Sequence, residues 1–275
     1  MKKFLFSLAG VSMAFSAISG VSIPTDYSHL EYSSGSVLMC KSDFCAMKID
    51  LNDSKLKFNR LTDSNKNNQY GHNLYKRKDQ HDFWNDYATS KTFGFINGQF
   101  FNNSITHQYN TPITFAVKGD GVVYQDINDG NRKLYSLLQK DGKYYLKYGY
   151  SKTDLNNFQD LFVAWDISEK TSSSDGTSKD NRTYIGGIPK NSSCNAKKSK
   201  CELSSIIFLF AKNKTISDSV TELSRFNVSY SNMVRLDGGG SAQFITRNHD
   251  FHEGWNARNL PHMIEILDKG CSFYS

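Results

Sequence analysis

The chain lacks most of the features that sort a protein quickly into a class. After its first two dozen residues no apolar run is long enough to cross a bilayer, and the best candidate, Ile206 to Ala211, reads as a buried strand at most. No basic stripe stands out. The formal net charge is +6, two units of which belong to Lys2 and Lys3, and the other basic residues are scattered, which argues against nucleic acid as a partner. The five cysteines lack the short paired spacing of zinc ligands, and no His-Glu-x-x-His pattern occurs. There is no linker and no internal repeat, so residues 23–275 read as one domain.

At the N-terminus, Lys2 and Lys3 precede an apolar run from Phe4 to about Val21 dotted with small residues, the pattern of a secretory signal peptide over residues 1–22. Cleavage between Ala17 and Ile23 would release a secreted or periplasmic protein with no membrane span; a retained anchor is the alternative. Cysteine usage fits an oxidising compartment. Cys40 pairs most simply with Cys45 and Cys194 with Cys201, leaving Cys271 unpaired, although spacing alone leaves connectivity open.

The rest reads mostly as strands: Val37 to Met39, Ala46 to Leu51, Phe93 to Phe101, Thr114 to Val117, Val122 to Gln125, Tyr144 to Tyr148, Leu161 to Trp165 and Ile206 to Ala211. One helix is expected over Ser217 to Phe226, where Val220, Leu223 and Phe226 recur at helical spacing. Asp63 to His81 and Ser168 to Asn181 have the composition of loops. The expected class is α+β, a single domain on a mixed, mostly antiparallel β-sheet with a few helices.

Four segments carry chemistry. In Met233 to Phe244 an apolar strand breaks at Asp237, followed by Gly238, Gly239, Gly240 and Ser241. Glycines let a ligand approach the backbone, and successive N–H groups in such a turn can cradle an anion; a purely structural turn is the competing reading. Asn97 emerges before Gly98 in an aromatic strand, supplying both a donor and an acceptor or else bracing its own turn. Arg182 and Arg258 each stand at the start of a strand, either as phosphate-matching forks or as solvated surface cations.

Taken in order, Ile96-Asn97-Gly98-Gln99-Phe100-Phe101, Arg182-Thr183-Tyr184-Ile185-Gly186, Leu236-Asp237-Gly238-Gly239-Gly240-Ser241 and Arg258-Asn259-Leu260-Pro261 resemble the motifs of the phosphodiester glycosidase domain family, over about residues 37 to 267. Gln99 and Tyr184 depart from it, where smaller residues are usual. The resemblance implies a hydrolase that breaks the glycosidic bond of a sugar-1-phosphodiester. In that reading Arg182 and Arg258 clamp the phosphate, while the N–H groups of Gly238 to Gly240 and the Ser241 hydroxyl complete the cradle. Asp237 stabilises the positive anomeric carbon or activates water, Asn97 orients sugar or phosphate, and His252 or His262 reaches substrate.

His249-Asp250-Phe251-His252-Glu253 offers metal-ligand types, and a divalent ion there would help neutralise phosphate; a polar loop is the favoured reading, with no cofactor required. Two other functions remain open: a non-catalytic secreted carbohydrate- or phosphate-binding envelope protein, and a phosphodiesterase cutting the P–O bond.

Overall fold

In the strand Cys201–Lys214, Ile206, Phe208 and Phe210 join one core cluster while Ile207, Leu209 and Ala211 join another. Successive side chains point to opposite faces, so an unbroken apolar run means that both faces are covered. This strand is the spine of the larger sheet, pairing along its length with Asp180–Pro189 on one side and Phe44–Asp50 on the other.

The computed structural model describes residues 23–61, 64–65, 73–101, 110–126, 132–169, 177–251, 258–270 and 273–274. Residues 1–22, expected as a signal peptide, and His252, Glu253 and Cys271 lie outside the described residues. Within them, strands form a twelve-stranded sheet, a five-stranded sheet and a small three-stranded one. The strand pairs of the two larger sheets are antiparallel throughout. The chain is thus a sheet-dominated single domain in which the few helices cover sheet faces. Both expected local disulfides are present, Cys40–Cys45 and Cys194–Cys201, as suits an oxidising compartment. Among the described residues no helix is long and apolar enough to cross a membrane.

The main core lies between the two larger sheets, where Met47, Ile49, Phe208 and Phe210 meet Leu56, Phe58, Ile96, Phe244 and Ile264. The outer face of the large sheet is closed by helix α3, Ile216–Ser224, whose Leu223 packs with Phe226, Val228 and Ile207. Thr215 and Asp218 cap that helix reciprocally, satisfying first-turn N–H groups that have no partner within the helix. The outer face of the five-stranded sheet is closed by Phe83 of helix α1, Gln80–Tyr87, against Phe95, Ile245 and Met263.

Several local expectations need correction. The segment from Asp63 to His81 was expected as loop, yet Leu74–Lys76 is a strand and α1 begins at Gln80 behind its Asp79 cap. Asp79 accepts from the His81 N–H while Phe83 is fully buried, so one cap and one buried ring form a helix despite the polar composition. The expected strand from Phe93 to Phe101 ends at Asn97, and that from Thr114 is displaced to Val117–Gly119. Ser54–Leu61 and Leu134–Lys140 are strands with no counterpart among the expectations.

The topology places the candidate site at the seam between the sheets. Met233–Arg235 is a short strand wedged between Asp180–Pro189 and Asp160–Asp166. Past it the chain turns through the glycines and enters the other sheet as Phe244–Thr246, beside Thr92–Asn97. Arg258 stands just before His262–Asp268 of that second sheet.

Candidate functional site

Leu236 donates to the Thr183 carbonyl at 3.0 Å, which ties the end of the short strand to its neighbour. Asp237 then leaves the sheet, and its carboxyl accepts the Gly238 N–H at 3.0 Å. The next three residues form one 3-10 turn, Gly239–Ser241, closed by the Ser241 and Ala242 N–H groups onto the carbonyls of Gly238 and Gly239. Gly239 has φ of +61°, the left-handed region that other residues enter only with strain. Among the described residues no hydrogen bond occupies the N–H of Gly239 or Gly240.

The Ser241 hydroxyl is fully buried and makes no hydrogen bond of ordinary geometry. It nevertheless lies close enough to the Asp237 carboxyl to favour its ionised form. Burial is the larger influence and pushes the Asp237 pKa up to about 6, against the opposing pull of Ser241, the Gly238 N–H and the charges of Arg258 and Arg235. By surface area Asp237 is only half-buried, so solvent tempers that burial and the carboxyl stays within reach of a ligand.

Arg258 is exposed, and its backbone is sewn to the glycine turn. Its N–H donates to the Gly240 carbonyl at 2.9 Å, and the Gln243 side-chain amide bridges the carbonyls of Gly240 and Arg258 at 2.8 and 2.6 Å. The guanidinium reaches over Gly239: its Nη2 lies 4.0 Å, and the Asp180 carboxyl 3.7 Å, from the point where a Cβ on Gly239 would stand. The fork of Arg258 therefore borders the turn with no ion-pair partner among the described residues.

Asn97 is 1% exposed and bonded on both ends. Its amide donates to the Asp237 carbonyl at 3.0 Å, while its oxygen accepts from the Thr183 hydroxyl at 2.7 Å and the Gln243 N–H at 3.3 Å. It joins the strand carrying Arg182 to the turn carrying Asp237, so it positions the carboxylate through the backbone, and both ends of its side chain are taken within the protein.

Two of the expected contacts are corrected. Arg182 lays its stem against Gly238, but its head is buried and donates to the carbonyls of Lys214 and Ser178 and to the Ser178 hydroxyl. It braces the start of its strand instead of presenting a free fork to a phosphate. Arg182→Ala is expected to lower Tm by about 5–10 °C, because losing a buried side chain together with its part-buried hydrogen bonds costs roughly 2–3 kcal/mol in a domain of this size; a thermal melt measures it. His262 is fully buried, donates from Nε2 to the Phe58 carbonyl at 2.8 Å and accepts the Gln99 N–H at Nδ1 at 3.1 Å. Burial pushes its pKa down to about 4, so it is a neutral core residue with both nitrogens occupied. Its ring lies where a side chain on Gly98 would collide with it.

Arg235 joins the site although it was not among the expected residues. Two positions before Asp237, it shares that residue's side of the strand by simple alternation, the signal by which the sequence could have revealed it. Its guanidinium packs 5.5 Å from the Trp165 ring and donates to the Glu169 carbonyl at 3.2 Å, which fixes a positive charge beside the carboxylate. Of the possible metal cluster, His249 and Asp250 are described. The His249 N–H bonds to the Thr246 hydroxyl, and Asp250 pairs with His81 at 3.2 Å. Among the described residues no group of three metal-ligating side chains assembles.

No protein-family model and no curated protein matches the chain. Among solved structures, a hypothetical protein from Synechocystis is similar with a TM-score of 0.55 at 11% identity, over 90% of this chain and 64% of that one. A protein of Burkholderia pseudomallei described as exported gives a TM-score of 0.48 at 10% identity, over 84% of this chain and 74% of the other. The chain spans less than two thirds of the Synechocystis protein, and that likeness establishes a shared fold alone.

Proposed function

We propose that the chain is a secreted hydrolase that cleaves the glycosidic bond of a sugar-1-phosphodiester. The observation that carries the reading is the half-buried Asp237 carboxyl beside unoccupied donors: the Gly239 and Gly240 N–H groups and the Arg258 fork. Donors clustered around one acid suit a substrate whose leaving group is already an anion.

Phosphate leaves readily, so the reaction needs donors on the departing oxygen more than a strong acid. In the proposed step the bond from the anomeric carbon to the bridging oxygen breaks, and both of its electrons go to the phosphate, which departs as a phosphomonoester. Water adds its oxygen to the anomeric carbon and gives a proton to the Asp237 carboxylate. Arg258 and the two N–H groups hold the growing phosphate charge, while Ser241 steadies the Asp237 carboxylate from within and Arg235 keeps the local field positive without touching substrate.

The engagement of Arg182 within the protein favours a second reading, a secreted protein that binds the same sugar phosphate without turning it over. Product analysis separates the possibilities. Incubation with an aryl sugar-1-phosphodiester is expected to release reducing sugar and aryl phosphate. Release of sugar phosphate would instead indicate a phosphodiesterase, and unchanged ligand with measurable affinity a binding protein. Arg258→Ala is expected to lower kcat/KM by about 10–100-fold with Tm unchanged, since the side chain is exposed and its loss strands no buried group.

A further inference from the structure

We infer that the cleft between the Lys140–Lys143 turn, the end of helix α2 (Lys152–Asn157) and the disulfide-closed loop before Cys201 is a second binding site, which takes a sugar phosphate. The cleft encloses about 340 Å³, and three lysines, Lys140, Lys143 and Lys200, line it against one carboxylate, Asp141. Their neighbours Lys147, Lys190 and Lys197 are matched with Asp154, Glu202 and Asp166. None of the three cleft lysines forms a close ion pair among the described residues, although the charge of Lys143 is felt at Glu202, whose near partner is Lys190. Three lysines lining one hollow favour an anion there.

One of these cations, Lys200, is also held in place. The Cys194–Cys201 disulfide closes the loop that carries Lys200, and Ala196 in that loop accepts the Tyr148 N–H at 2.9 Å and donates to Asn232 at 3.0 Å. Lys200 Nζ rests 4.8 Å from the Tyr145 ring centre and 5.0 Å from that of Phe158. A preplaced charge loses little conformational freedom on binding.

The walls select among anions. Tyr145, Asn157 and Asp141 line the cleft with groups that can exchange hydrogen bonds with sugar hydroxyls, and Lys200 already sits over the Tyr145 and Phe158 rings. The volume suits a monosaccharide carrying one phosphate. Gln139 pairs with Asp160 and Leu134 with Trp165, so the cleft lies at the far end of the same strands from Trp165 and Arg235, roughly 17 Å along them. It is therefore separate from the Asp237 turn.

Residue-resolved NMR titration of the secreted chain with glucose 1-phosphate tests this, with inorganic phosphate, glucose and a single-stranded oligonucleotide as comparisons. Amides of residues 140–145, 157–158 and 199–201 are expected to shift, with glucose 1-phosphate binding there at least fivefold more tightly than phosphate or glucose. The triple variant Lys140→Ala, Lys143→Ala, Lys200→Ala and the single variant Lys143→Glu are each expected to weaken this binding at least tenfold with the remaining spectrum preserved. Shifts confined to residues 237–241 would overturn the inference without touching the proposed catalytic site. So would equal affinity for inorganic phosphate, tighter binding of the oligonucleotide, or binding that survives both variants.

Discussion

Asp237→Asn is expected to lower kcat on a sugar-1-phosphodiester by about 10³-fold while leaving Tm at pH 7.5 unchanged or about 2–4 °C higher. The two effects share one cause. The carboxyl is held where burial raises its pKa to about 6, so an uncharged amide of the same shape suits the folded protein better at neutral pH, yet it can neither accept water's proton nor face a positive carbon. Because the folded pKa lies above the ordinary value of 3.8, the folded chain retains a proton at pH values where the unfolded chain has lost it. The penalty for burying this charge is absent below pH 3.8, grows as pH rises through 6 and is complete above that. The stability gain of the Asn variant is therefore expected at pH 7.5 and not at pH 3.5, which paired melts resolve. For the same reason kcat of the unsubstituted protein is expected to climb through about pH 6 and then level off, since the carboxylate is the working form in the proposed reaction. A profile that falls through pH 6 would make Asp237 an acid instead, and unchanged kcat in the Asn variant would remove it from the reaction.

Asn97→Ala is expected to cost about 3 kcal/mol, lowering Tm by roughly 6–12 °C, and to reduce kcat by about 100-fold at temperatures where the variant is folded. Its buried amide serves the Asp237 carbonyl, the Gln243 N–H and the Thr183 hydroxyl. Truncation leaves all three buried groups unpaired and frees the turn to shift. Asn97→Asp separates position from packing: it keeps the two acceptor contacts but loses the donor and sets a carboxylate against the Asp237 carbonyl. Its turnover is expected to fall as far as that of Ala. Full turnover in either folded variant would show that the backbone of Asp237 needs no such anchor.

Much of the site was legible in the sequence because its signals are local. An apolar strand just before Asp237 and a following turn that favours glycine at Gly239 are properties of adjacent residues, and the structure has both, the strand closing at Arg235. The close cysteine pairs and the helix around Leu223 were legible for the same reason. The strand Leu134–Lys140 was not. Its residues Leu134 to Gln139 are all buried, including Ser136 and Gln139, so the alternation of polar and apolar residues that betrays a one-sided strand is missing.

The amino-acid order by itself determined that the chain is mostly strands, that the cysteines fall in two close pairs, and that one carboxylate meets a loop free of side chains. Only the tertiary structure decided which polar groups face that loop. Arg182 and Arg235 are both cations in strands, but the carbonyls beside Arg182 capture its head, whereas strand alternation puts Arg235 on the side of Asp237. His262 and Asn97 were both expected at the ligand, and each is instead engaged by groups at least 86 residues away in the chain. A side chain's direction follows from strand register and from the nearest unsatisfied donor or acceptor, and both are set by contacts between segments that the linear sequence keeps apart.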